Sequence, residues 1–462
     1  MKWKLSFLVC IACCTWLSGA LHADWNRFRG PNGTGIAEGS APTQWSPGEN
    51  LKWKLPLPGA GFSSPIVVGN KVFVTSYTGS AGNNLSRQLT CVDATSGKLL
   101  WQKDVPNEVE EDPNEGMGIP AHGYASHTPT SDGQRVYAFF GKTGIIAFDM
   151  DGQELWRKSV GTESDPRRWG SASSPILADD VLVVTAGPES RAVVGLDKNT
   201  GEQLWTSPAE GFGNVWGTPA LISTGNSTDL VIGAPYEIWA INAKTGKLSW
   251  YCEAMDTDSF NSSVVVYEDK VYGIEGRGGG SIAVKAGGKD DVTKSNVLWT
   301  GRDTSRFGSP VVVDNRLYYF NSGVAYCVDA MTGKEIFKGR LRSASGETSP
   351  EPGAGGRGQG GPGRGQGGFG GPGGPGGQRG GRGGGFGGGG PGGDYASPVY
   401  ADGKIYFINR TGETYVIEAG DEFNQLAVNR ISEEAEQFGA TPAISGGSIF
   451  IRSNKHLYCI SQ

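Results

Sequence analysis

One unit of sequence recurs along this chain about every 45 residues, and a repeat of that length restricts the fold more than any single motif. Each copy opens on a small hydroxyl residue and Pro before a β-branched run, as in Ser63-Ser64-Pro65-Ile66-Val67-Val68. A second run follows in Val72-Phe73-Val74, and a third, Leu89-Thr90-Cys91-Val92, leads through Asp93-Ala94-Thr95-Ser96-Gly97-Lys98 to Trp101. Further openings stand at Thr128-Pro129, Ser174-Pro175, Thr218-Pro219, Ser262-Ser263-Val264, Ser309-Pro310, Ser397-Pro398 and Thr441-Pro442. Matching closings end at Trp156, Trp205, Trp250, Trp299 and Phe337. Pro175 to Pro219 and Pro398 to Pro442 are both 44 residues.

Each unit holds four short runs with period-two alternation, such as Leu317-Tyr318-Tyr319-Phe320, separated by turn residues. Four strands in about 45 residues make one blade of a β-propeller. The Asp-Ala-x-Thr-Gly-Lys stretch is the hairpin between the third and fourth strands, where the carboxylate bonds turn amides and Gly supplies a positive φ. The Trp that follows sits on the outer strand and fills the gap between blades. Eight openings give eight blades, yet the last copy, Thr441 to Ile460, has only three runs. Asn50-Leu51-Lys52-Trp53-Lys54-Leu55 has the form of the missing outer strand. The expected fold is all-β, an eight-bladed propeller of four-stranded antiparallel blades closed by this N-terminal strand, which removes the free sheet edges of an open array.

Two segments stand outside the repeat. Residues 1–23 read as an export signal, with Lys2 and Lys4 ahead of the apolar stretch Leu5 to Leu17 and then small residues. Cleavage after Ala23 or Ala20 fits, whereas a lipid anchor would need Cys13 in a poor lipobox. Export takes Cys10, Cys13 and Cys14 away and leaves Cys91, Cys252, Cys327 and Cys459. Equivalent third-strand positions of Cys91, Cys327 and Cys459 in separate blades favour buried thiols over disulfides. Residues 351–393 hold 27 Gly in 43 positions with only Phe369 and Phe386 to bury, which reads as a disordered insertion. The domain reading is therefore signal 1–23, extension 24–49, propeller 50–350, insertion 351–393 and propeller 394–462.

The copies of Asp93-Ala94-x-x-Gly97-Lys98-x-x-Trp101 resemble the docking repeat of the pyrroloquinoline quinone (PQQ) propellers. That family contains quinoprotein alcohol and glucose dehydrogenases as well as the non-catalytic outer-membrane assembly lipoprotein BamB. The opening Asp24-Trp25-Asn26-Arg27-Phe28-Arg29-Gly30-Pro31-Asn32-Gly33 is similar to that of exported PQQ-like repeat proteins abundant in planctomycete-type bacteria. The resemblance spans residues 50–462 apart from the glycine insertion. It departs from the alcohol dehydrogenases at two points: no Cys-Cys pair follows the signal, and no stretch matches their Glu, Asn and Asp calcium ligands.

An aromatic residue precedes nearly every opening: Phe62, Tyr124, Trp169, Trp216, Phe260, Phe307, Tyr395 and Phe438. Because the first strand of a blade is nearest the axis, these rings mark one mouth of the central channel. They either form a rim on which a flat ligand stacks or wedge between blades. Trp169, Trp216, Phe260 and Phe307, with Arg167, Arg168 and Arg306 beside them to meet an anion, are the candidate mouth residues. The acids Asp104, Glu108, Glu110, Glu111, Asp112 and Glu115 are expected to be solvated, since their order does not match a calcium loop. His122 and His127 lack further zinc ligands nearby, and position alone recommends Asp256 and Asp258 as a glycosidase pair.

With 41 basic against 47 acidic residues, the chain carries a net charge of −6 and is not built to neutralise a phosphate backbone, so nucleic acid is not the expected partner. No other stretch has the ~18 apolar residues of a spanning helix. The favoured reading is an exported, monomeric, periplasmic or extracellular protein, with attachment at the outer membrane as a variant. It acts as a binding or assembly scaffold without catalysis or cofactor, for an envelope protein or polymer. The alternative, implied by the resemblance, is a PQQ- and calcium-dependent dehydrogenase of alcohols or sugars.

Overall fold

The computed structural model describes residues 24–81, 83–113, 122–225, 227–276, 278–344 and 394–462. The expected export signal, the expected disordered insertion and Glu115 lie outside the described residues. Eight four-stranded antiparallel blades follow one another in chain order as blades 1–8 of a propeller, and blade 4 carries in addition the short strand Asp290–Asp291, paired parallel to its outer strand Leu248–Glu253. Blade 1 is Ile66–Val68, Lys71–Ser80, Asn83–Asp93 and Leu99–Pro106, from the axis outward. Blades 2–7 begin at the inner strands Thr130–Ser131, Ile176–Ala178, Ala220–Thr224, Val265–Tyr267, Val311–Val313 and Val399–Ala401. Blade 8 takes three strands from Ala443 to Ile460 and its outer strand, Leu51–Pro56, from the other end of the propeller sequence. Trp53 there faces Cys459, as Trp101 faces Cys91 in blade 1. The closing strand read from the sequence is thus in place.

Hydrophobic clusters lie between blades rather than within them. Ile66, Phe73, Leu89 and Cys91 of blade 1, for example, pack with Val136, Ala138, Ile146 and Phe148 of blade 2. Alternation puts one side-chain row on each face of a sheet, and each face finds the next blade. At the outer strand the register shifts beside the Trp position in blades 1–5 and 8, and at Phe337 and Ala427 in blades 6 and 7. This bulge turns the indole toward the neighbouring blade.

The hairpin then receives that indole. Nε1 of Trp53, Trp101, Trp156, Trp205 and Trp299 donates to a carbonyl of the next blade's turn at 2.9–3.2 Å. The rings lie over Gly97, Gly152, Gly201, Gly246 and Gly333, where a Cβ would stand 2.5–2.7 Å from the indole. The turn glycine is therefore needed for close approach as well as for its positive φ. Asp93 accepts from the amides of Thr95 and Ser96, and Asp329 repeats the turn with Met331 and Thr332. Trp250 departs from the set, since its buried Nε1 has no hydrogen-bond partner in the structure.

A second device closes the ring near the axis. The amide of Ser64 donates to the Thr128 hydroxyl, Thr128 to Ser174, Ser174 to Thr218, and Thr218 to Ser263, at 2.8–3.0 Å. Ser263 continues to Ser309, Ser309 to Ser397, Ser397 to Thr441 and Thr441 back to Ser64, at 2.9–3.0 Å. Eight buried hydroxyls, one per opening, form an unbroken circle. Among the described residues Cys91, Cys327 and Cys459 are buried free thiols, as the sequence favoured, and Cys252 is a fourth.

Candidate functional site

The inner strands start at one mouth of the axial channel and end toward the other, and the two mouths differ. At the starting mouth, Trp169 and Trp216 are half-buried with ring centroids 5.3 Å apart, and Trp216 Nε1 donates to Gly170 O at 2.7 Å. The Arg167 guanidinium lies 5.3 Å from the Trp169 ring and pairs with Asp258 at 2.7 Å. Half-buried Phe307 stacks on Tyr395 at 4.2 Å, with Arg306 at 5.0 Å from the Phe307 ring. Phe260 is 1% exposed and packs into the gap left by Gly233. The candidate mouth residues therefore come together as two aromatic pairs, with Phe260 serving as wedge. Asp256 and Asp258 are exposed.

Beside this mouth lies a polar cluster that the sequence reading split apart. Arg87, Glu111, His122, His127, Ser171 and Glu189 line a cavity of about 30 Å3, room for one water. Arg87, 2% exposed, pairs with Glu111 at 2.5 Å, and Asp112 pairs with Lys142 at 3.4 Å. These two acids are thus not the solvated loop charges expected, because a buried guanidinium on the third strand of blade 1 recruits one of them. His122 is held by Ser126 Oγ and by Trp169 O, while His127 Nε2 meets Ser171 Oγ at 2.9 Å. Ser171 in turn donates to Glu189 Oε1 at 2.5 Å. The carboxylate bonds the hydroxyl rather than the imidazole, and the buried His127 Nδ1 has no hydrogen-bond partner, so this is not a nucleophile–base–acid relay. Burial pushes Glu189 up to about 7 and His127 down to about 3.

At the far mouth the chain closes its own channel. Residues 24–37 bond the inner edges of five blades. Trp25 and Val67 exchange both amide bonds at 2.9 Å, and Ser131 donates to Asn26 O. Arg27 Nη2 reaches Pro219 O at 2.7 Å, and Arg29 Nη2 reaches Pro310 O at 2.5 Å. The Asn32 side chain donates to Leu221 O and accepts from its amide, and Tyr400 donates to Gly35 O. A segment that touches blades 1, 2, 4, 6 and 7 must cross the axis. Sequence reasoning treated it only as an extension, because its partners are backbone groups that no side-chain pattern announces.

The described residues of the starting mouth match the calcium and quinone implied by the resemblance only in part. Trp169 and Trp216 offer two apolar faces tilted 34° to one another, and three acids of the mouth already accept from N–H donors. Glu275 accepts from the amide and side chain of Asn261, Asp165 from the amides of Arg167 and Gly170, and Asp258 from Arg167. A calcium ion needs six to eight free oxygen ligands, so its half of the pair does not fit this set as it stands.

Eight blades, a hydroxyl circle and docking tryptophans define a propeller of the tryptophan-docking class whose channel is crossed by its own N-terminal segment. A family model described as outer membrane protein assembly factor BamB matches residues 43–215 and 126–339, and the chain belongs to this family of PQQ-like repeat propellers. BamB of Burkholderia pseudomallei is 26% identical over 143 residues, 31% of this chain and 29% of the relative's length. Among solved structures, BamB from Moraxella catarrhalis superposes with a TM-score of 0.56 at 10% identity, covering 89% of this chain and 97% of that one. A europium-containing methanol dehydrogenase gives 0.61 at 10% identity over 95% and 98%. At that identity the two likenesses speak for the fold alone.

Proposed function

We propose that this protein is an exported, non-catalytic scaffold of the cell envelope, similar in role to BamB, which presents the mouth around Trp169 and Trp216 to an envelope protein or polymer. The observation that carries this reading is the plugged channel. Residues 24–37 occupy the axis-facing edges at the far mouth, so recognition is left to the loops around Trp169 and Trp216 and to the blade surfaces. The family supports it, as do the mouth acids Glu275, Asp165 and Asp258, already held by N–H donors. Among the described residues no helix is long and apolar enough to cross a membrane.

The quinoprotein reading draws on the Trp169 and Trp216 pair and on the methanol dehydrogenase likeness. One experiment separates the two. Mature protein is titrated with PQQ and calcium while Trp fluorescence is followed, and dye-coupled oxidation of alcohols and sugars is assayed in parallel. The scaffold reading expects neither saturable quenching nor turnover, together with a discrete envelope crosslink from a photoreactive residue at exposed Arg168. Micromolar quenching with turnover would overturn it.

A further inference from the structure

Arg27 is 6% exposed and Arg29 0%, and both project from the segment that crosses the channel. Their Nη2 groups rest on Pro219 O and Pro310 O, and Arg29 Nη2 also reaches Thr34 O at 3.4 Å. Three further N–H groups, Nε of both residues and Nη1 of Arg29, are buried without a hydrogen-bond partner. Neither arginine has a carboxylate partner among the described residues, whereas the equally buried Arg87 has Glu111. Desolvation alone lowers their pKa values, to about 10 and about 9, still far above neutrality. Burying an uncompensated cation costs several kcal/mol, and carbonyl dipoles and water satisfy the N–H groups without cancelling the charge. Arg452 at the opposite mouth shares the lack of an acid, but it stands alone on Ser63, so it does not make a paired site.

We propose that Arg27 and Arg29 form a binding site for a small anion, a halide or a carboxylate, inside the axial channel. The anion supplies the missing countercharge, accepts from the unpartnered guanidinium N–H groups and fastens the crossing segment to the inner strands. Sequence spacing places the two cations two residues apart on one segment, and the ring wall supplies carbonyls at the other edge of each guanidinium. The inference is independent of whether the protein is a scaffold or an enzyme.

The test uses the whole mature protein. Crystals soaked in bromide should show an anomalous peak within hydrogen-bond reach of Arg27 and Arg29, and excess acetate should displace it if the site prefers a carboxylate. At fixed ionic strength, replacing a bulky sulfonate by bromide or acetate up to 100 mM should raise the melting temperature by about 3 °C. The Arg27→Met, Arg29→Met double variant should lose that anion dependence. Should the variant not fold, the wild-type peak and melting curves still decide. No peak at the two arginines and a melting temperature indifferent to the anion would overturn the site.

Discussion

Glu189 and His127 share the hydroxyl of Ser171 and titrate in opposite senses. Burial raises Glu189 to about 7, so the folded state holds its proton more tightly than the unfolded chain does. Its contribution is fully present below an ordinary carboxyl pKa and is lost as pH climbs to 7. His127, lowered to about 3, does the reverse, and its contribution is lost as pH falls from 6.5 toward 3. Glu189→Gln keeps an acceptor for Ser171 and cannot ionise, while His127 is common to both proteins. Urea unfolding should find the variant gaining on wild type by on the order of 3 kcal/mol between pH 4.5 and pH 8. Parallel pH curves would show that burial does not raise Glu189 above its unfolded value. None of this cluster could be assembled from the sequence. His122 and His127 stood out as a pair, but of their partners Ser126 is an ordinary hydroxyl between them, and the Trp169 carbonyl and the Ser171 hydroxyl come from a loop more than 40 residues on.

At the scale of elements, the openings were read as strand starts, and their hydroxyls turn out to join the blades. A clue was present in Ser262-Ser263-Val264, which drops the Pro and keeps the hydroxyl, yet only closure of the ring gives each hydroxyl a donor. Ser309→Ala would strand the buried amide of Ser263, at a cost of about 1–3 kcal/mol, whereas Ser309→Thr should restore most of it. Denaturant midpoints of the two variants test this, and equal losses would mean that volume rather than the hydrogen bond matters. The docking turns were readable in more detail because their Asp, Gly and Trp each act locally. What the sequence did not show is that the glycine lies under the preceding blade's indole, a contact between residues 34–51 positions apart.

For the whole molecule, blade number and the closing strand followed from counting copies, since a propeller has one repeat per blade. The plug did not, because residues 24–37 belong to no repeat and bond mainly to main-chain groups. Two truncations separate these roles. A protein beginning at Asn50 keeps the ring and should melt lower but cooperatively, having lost the contacts across the channel. One beginning at Leu57 also loses the outer strand of blade 8, exposes the edge of His456–Ile460, and should form aggregates on size exclusion. A monodisperse Leu57 protein with unchanged melting would contradict the closing role of Leu51–Pro56.

That closing strand also sets a clock on folding. Leu51 pairs with Ile460, 409 positions later, and joining ends so far apart costs about 5 kcal/mol in chain entropy. A chain that emerges N-terminus first carries the final piece of its last sheet from the start, with nothing to pair it to until the last strand appears. Early blades can stack, but the circle of hydroxyls cannot close until then. The native state is therefore reached in one late step, and every unfinished chain before that step exposes an open edge.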